Sequence, residues 1–214
     1  MTRLQTEIKR LYGTPPGEGD TTVRALVLEL ARPADWPRLA QVWQGVQADL
    51  GWPAPAIAVN GVDGYQLWFS LAQPLPPAEA QHLLEHLCGR YLADIAPERL
   101  RLIHSAPPTI PRQVAADAWS AFVTSDLAAV FADTPWLDLP PGEDAQAELL
   151  GRLSPIAAQD LRAALQATDA TPVVTPAPAP RASDNEARQF LLGVMRDPAV
   201  ELALRIDAAK ALLR

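Results

Sequence analysis

Cysteine is almost missing from this chain: Cys88 is the single one in 214 residues. One thiol closes no internal disulfide and builds no thiolate metal cluster, which fits a reducing compartment. It falls on the apolar stripe of an expected helix, so it reads as core rather than nucleophile. Long apolar runs are also lacking. None reaches the ~20 residues a membrane helix needs, and Met1-Thr-Arg-Leu-Gln-Thr-Glu7 has no signal-peptide apolar segment. Positive charge is in deficit, with 18 Lys and Arg against 25 Asp and Glu, for a net charge of −7. That balance argues against bulk electrostatic binding to nucleic acid or anionic membrane, although a local basic groove stays compatible with it. There is no Gly-rich phosphate loop, nucleophile elbow or Ser/His/Asp order. These absences predict a cytoplasmic protein off the membrane, with no cofactor and no complete catalytic motif.

What is present is a strongly patterned hairpin. Ala56-Ile-Ala-Val59 reads as a short strand, Tyr65 to Leu71 as a second, and Asn60-Gly61 and Asp63-Gly64 as the turn between them. The second strand alternates: Tyr65, Leu67, Phe69 and Leu71 point one way, Gln66, Trp68 and Ser70 the other. Around it, Val23–Leu30 reads as a strand apolar on both sides but for Glu29. Residues 34–50 form a helix with Trp36, Leu39, Trp43, Val46 and Leu50 on one stripe, closed by Gly51. A second helix spans about 77–93, with proline in its first turn, and Leu100–His104 is a fourth strand.

Strand, helix, strand, strand, helix, strand is the split βαβ order. The predicted fold is α+β: a ferredoxin/RRM-like four-stranded antiparallel sheet with two helices on one face and the other face free. Gln66, Trp68, Ser70 and Glu29 would line that free face. The remainder reads as a short helix over 3–12, a Pro-rich crossing at 106–116, and a short strand at 119–123. A helix capped by Asp126 runs through Phe131, and helices follow near 143–153 and 155–167. The predicted domains are an α+β unit over 1–168, with its core at about 20–105, and a Pro/Ala-rich linker over 169–183. A C-terminal helical hairpin over 184–214 completes them. Two short helices cannot bury their apolar stripes alone, so the hairpin must dock on the main body, on a partner chain, or on another copy.

The series Leu28-Glu29-Leu30, Asn60-Gly61-Val62-Asp63-Gly64-Tyr65-Gln66-Leu67-Trp68 and Arg99-Leu100-Arg101-Leu102 resembles the palm of the archaeo-eukaryotic primase–polymerase superfamily. The likeness covers roughly residues 20–105. In that family two carboxylates two residues apart on the first strand, and a third on a late strand, hold two divalent metals for phosphoryl transfer. Here only Glu29 stands in the first motif. Gln66 replaces the family's nucleotide-contacting histidine, and Leu100–His104 offers no carboxylate. One Glu cannot supply the clustered hard oxygens that such a site needs. The resemblance therefore implies a degenerate palm that has lost its chemistry. Separately, Phe190-Leu-Leu-Gly-Val-Met-Arg-Asp-Pro198 with Leu204-Arg-Ile-Asp-Ala-Ala-Lys-Ala-Leu-Leu213 resembles a helical segment of phage terminase small-subunit-like proteins. It implies an assembly contact.

The candidate ligand-binding residues are Glu29, Asn60, Gln66, Trp68, Ser70, Arg99 and Arg101. Glu29 reads as a metal ligand, as an ion-pair partner of Arg101, or as plain surface. Trp68 reads as a base-stacking platform, worth about 1–3 kcal/mol per base, or as a side chain covered by the Trp119–Trp136 region. Arg99 and Arg101 are next-nearest neighbours expected to share a strand face toward phosphate. His82 and His86 have a metal-compatible i,i+4 spacing, but His104 is the only third histidine and no acidic cluster is tied to them by sequence; Asp133, Asp138, Glu143 and Asp144 read as solvated surface. The expected function is a non-catalytic primase–polymerase-like protein in a replication-linked, mobile-element or phage-related assembly, with weak nucleic-acid or nucleotide binding. The alternative is a structural or adaptor protein assembling through 184–214, with a protein partner or by self-association.

Overall fold

The computed structural model describes residues 1–13, 22–104 and 107–170. Residues 1–170 make one compact unit. The hairpin predicted at 184–214, its linker and the terminase-like segment lie outside the described residues.

Helix α1 (Arg3–Tyr12) starts at Thr2, whose side chain accepts from the Gln5 amide while the Gln5 side chain reaches back to the Thr2 amide. That reciprocal capping satisfies two otherwise free N–H groups. Strand β1 (Val23–Ala31) leads into α2 (Trp36–Leu50), capped by Asp35 and closed by Gly51 in the left-handed conformation. Strands β2 (Ala56–Val59) and β3 (Gly64–Leu75) form the predicted hairpin, followed by α3 (Pro77–Tyr91) and, after a 3-10 turn at Pro97–Arg99, β4 (Leu100–Ile103). Strands β5 (Arg112–Ala115) and β6 (Ala118–Val123) come next. The short helix α4 (Ser125–Ala128), a 3-10 turn (Ala129–Phe131), α5 (Glu143–Gly151) and α6 (Ala158–Ala170) complete the order.

The sheet has six strands in the order β4-β1-β3-β2-β6-β5, every adjacent pair antiparallel. This corrects the predicted four-stranded sheet. Strand β6 extends it beyond β2, pairing Ile57, Ala58 and Val59 with Val123, Phe122 and Ala121. Strand β5 was hidden among prolines, which a sheet tolerates at its edge, and an edge is where β5 lies. The helix expected from Asp126 to Phe131 is a single α turn that tightens into 3-10. The helix expected from Pro155 starts at Ala158, because Ile156 is spent on the sheet: its amide donates to Ser70 O and its carbonyl accepts from Ala72 N.

The larger correction concerns layers. One apolar cluster fills the space between the sheet and α2, α3 and α6. A second, containing Leu4, Leu11, Tyr12, Val27, Ala58, Trp68, Phe122, Ala147 and Leu150, lies on the opposite face under α1 and α5. The sheet is thus covered on both sides, and the face predicted to be free is closed. Helix α1 packs on α5, and the Arg10 guanidinium donates to Leu150 O and Leu153 O, closing off carbonyls at the end of α5. Among the described residues no helix is long and apolar enough to cross a membrane.

Candidate functional site

Directly paired residues in an antiparallel sheet point to the same side. The register therefore lines up Arg101, Glu29, Gln66, Ala58 and Phe122 across five strands, with Ile103, Val27, Trp68 and Ala56 in the adjoining row. The predicted alternation along β3 is observed, and Glu29 does join Gln66 and Trp68. Within the row, Trp68 Nε1 donates to Gln66 Oε1 at 2.9 Å, and Gln66 Nε2 donates to Glu29 Oε2. The indole, amide and carboxylate form a short relay that satisfies each polar group away from water, as burial requires.

Burial is what separates this row from the predicted ligand surface. Glu29 is 8% exposed, Gln66 3%, Trp68 4% and Ser70 5%. Tyr12 meets the Trp68 ring edge-on at 5.2 Å and Phe122 meets it at 5.5 Å, while Tyr12 and Phe122 lie nearly parallel at 6.4 Å. The cover for Trp68 comes from α1 and β6. Ser70 Oγ donates to Leu11 O, tying β3 to α1. In this arrangement Trp68 has no face to offer a base.

Asn60 and Arg99 do structural tasks. Asn60 Oδ1 accepts from the amides of Val62, Asp63 and Gly64 at 2.8–3.0 Å, and Asn60 Nδ2 donates to Asp63 Oδ1. The turn is built on that one side chain. Two glycines make it possible. Gly61 has φ +85°, and a Cβ on Gly64 would stand 2.7 Å from Leu30 O. Arg99 lies in the 3-10 turn before β4, so it does not share a strand face with Arg101. Its guanidinium donates to Pro33 O at 2.9 Å and approaches Asp35 at 3.6 Å. Arg101 sits opposite Glu29 on the edge strand and is exposed. The ion pair between them does not form; the carboxylate is held by Gln66 instead.

Among the described residues no group of three His, Cys, Asp or Glu side chains is placed to hold a metal ion. Burial pushes the Cys88 thiol up to about 11, with the neighbouring Glu85 carboxylate adding to the rise, so the group is a neutral thiol at neutral pH. Burial likewise raises the Tyr65 phenol to about 12, with a further push from Asp133, and raises Tyr12 more strongly. The Tyr65 hydroxyl donates to Ala128 O at 2.6 Å; the Tyr12 hydroxyl is buried with no partner among the described residues. Sequence reasoning offered the Trp119–Trp136 region as cover for Trp68, and Phe122 lies there; it missed Tyr12. The available signal was α1 itself, whose Leu4, Leu11 and Tyr12 stripe needs a surface to bury against.

No family model matches the sequence, and no curated protein matches it. Among solved structures the chain is similar to the polymerase domain from Mycobacterium tuberculosis ligase D in complex with DNA. The identity is 20% and the TM-score 0.40, over 66% of this chain and 56% of that one. The chain spans little more than half the length of that neighbour, and the likeness is too loose to carry an activity across.

Proposed function

We propose that this chain is a non-catalytic, primase–polymerase-like protein, its β1–β4 quartet a split βαβ (ferredoxin/RRM-like) core, serving in a replication-linked, mobile-element or phage-related assembly. One observation carries the reading. The row that holds Glu29 and Gln66, the positions matching the family's first and second motifs, lies under α1 and α5, with the carboxylate bound to the amide. A two-metal phosphoryl-transfer site needs several carboxylates facing a cavity that admits a nucleotide. Here a lone carboxylate faces a side-chain amide inside packed aromatics. Weak nucleic-acid or nucleotide binding falls to Arg101, the exposed cation at the end of the row.

Two measurements test this. Primer synthesis and extension with Mg²⁺ or Mn²⁺ should yield no product above a no-enzyme control. Robust incorporation that Glu29→Ala abolishes overturns the reading. In low salt, a labelled single-stranded oligonucleotide should bind weakly, and Arg101→Ala should weaken it further. A second reading, assembly through 184–214, rests on the helical spacing of Phe190, Leu191, Val194 and Met195. Deleting 184–214 and finding an unchanged particle mass and no lost partner counts against it.

A further inference from the structure

The segment from Ser125 to Asp144 takes no part in the row above, yet it carries three of the five large apolar side chains that stand exposed among the described residues. Val130 is 70% exposed and Leu139 75%. Together with Phe131, Trp136, Leu137 and Pro140 they line an open trough of about 590 Å³. Its wall is fixed by main-chain bonds. Leu137 exchanges two hydrogen bonds with Trp119 on β6, at 2.9 and 3.0 Å, and Pro135 O accepts from Gly61 N at 3.0 Å. Trp136 Nε1 is held by Asp138 Oδ1 at 3.2 Å. Large apolar side chains held out to water on a braced wall are the mark of an interaction surface, and the preformed shape lowers the ordering cost of binding.

Charge says what kind of partner fits. Residues 125–144 contain five carboxylates (Asp126, Asp133, Asp138, Glu143 and Asp144) and no Lys, Arg or His. None of the five is in an ion pair among the described residues. Asp138 lines the trough itself and the other four stand in the same segment beside it; such a stretch repels phosphate and a second copy of its own acidic surface. We infer that the trough is a docking site for a basic amphipathic segment of another protein, its apolar side chains seated on Val130, Trp136 and Leu139 and its Lys or Arg residues facing Asp138 and the acidic stretch around it. Helix-in-groove recognition of this kind uses apolar anchors at i, i+3/i+4 and i+7. The inference stands on a different surface from the primase-like reading and does not depend on it.

The test uses the full chain and two labelled synthetic helical peptides with the same apolar anchors, one carrying Lys at every polar position and the other Glu. Anisotropy should show the Lys peptide binding at least about tenfold tighter than the Glu peptide, a difference of ~1.4 kcal/mol, and losing affinity as salt rises. Val130→Ser/Leu139→Ser should weaken the Lys peptide about tenfold or more, and Asp133→Asn/Asp138→Asn about fivefold, with unfolding midpoints unchanged because these side chains are exposed. Glu79→Gln/Glu85→Gln on α3, an equal charge change elsewhere, should leave the affinity within about twofold. Equal affinity for both peptides, no binding of either, or indifference to Val130→Ser/Leu139→Ser overturns the inference.

Discussion

Toward α2, α3 and α6 the central strands present Leu26, Leu28, Leu30, Tyr65, Leu67, Phe69 and Leu71. Toward α1 and α5 the same strands present Ala25, Val27, Glu29, Gln66, Trp68 and Ser70. Both sets are buried, but they are sealed differently. The first face is closed mainly by helices that belong to the split βαβ order, and its seal is almost wholly hydrocarbon. The second is closed by segments from outside that unit: Tyr12 from the N-terminal helix, Phe122 from β6, and Ala147 and Leu150 from α5. Its seal includes a hydrogen-bonded relay. The difference teaches that alternation along a strand identifies which residues share a side, while the fate of that side is decided by chain lying elsewhere. A row of polar and aromatic groups that looks like a binding surface can instead be the polar part of a second core.

If the first face is sealed by packing alone, Phe69→Ala should be the most damaging single change. Phe69 is 1% exposed and meets Trp52 at 6.3 Å, so a loss of about 3–5 kcal/mol is expected in denaturant unfolding. On the second face the relay should matter through its hydrogen bonds. Glu29→Ala leaves the buried Gln66 amide donor without a partner and should cost about 1–3 kcal/mol. Glu29→Gln keeps an acceptor and should cost less. A Glu29→Ala variant as stable as the parent would break the comparison, since the relay would then contribute nothing to closing its face.

Gly64→Ala probes the point where the two faces share one strand pair. A Cβ there would stand 2.6 Å from Ala31 Cβ and 2.7 Å from Leu30 O. Neither contact is the end of a flexible side chain, so β1 and β3 must part locally. A cost of about 1–3 kcal/mol is expected, and amide exchange should speed up in Leu30 and Ala31 before it does in β6. Uniform acceleration across the sheet would show that the strand pair is not a local unit.

How far the sequence carried this picture follows from the same contrast. The elements of the β1–β4 unit are legible because each has a local signal: the Trp36, Leu39, Trp43, Val46 and Leu50 stripe and Gly51 mark α2, and Asn60 with two glycines makes the turn. Period-two alternation then assigns the sides of β3. Strand β5 is illegible because prolines mask a four-residue edge pairing. The cover over Trp68 is legible only in part: Phe122 lies in the Trp119–Trp136 region expected to supply it. Tyr12 completes it from α1, and no periodicity links residues so far apart along the chain. The same holds for Glu29: its neighbours Gln66 and Arg101 follow from register, but the choice between them depends on which is dry. Gln66 is buried and Arg101 is not, and the carboxylate bonds the partner that lacks competition from water.

The smallest and sharpest test puts one substitution on each face. Tyr65 donates its hydroxyl to Ala128 O on the hydrocarbon side, whereas the Tyr12 hydroxyl is buried on the relay side with no partner among the described residues. Tyr65→Phe orphans a carbonyl and should lower stability by about 1 kcal/mol; Tyr12→Phe removes an unpaired polar atom and should be neutral or stabilising by up to about 1 kcal/mol. Burial raises both phenols in the folded protein, Tyr65 to about 12, so the unfolded chain gives up these protons first. Their stabilising effect is complete below about pH 10, the unfolded value. It is lost as pH rises through the folded values, so stability falls across the window from about 10 toward 12. Each Phe variant should flatten that alkaline decline, while only Tyr65→Phe is weaker at neutral pH. If Tyr12→Phe instead weakens the protein at pH 7 as much as Tyr65→Phe does, the Tyr12 hydroxyl has a hydrogen-bonding partner, and the relay face is more fully satisfied than its geometry indicates.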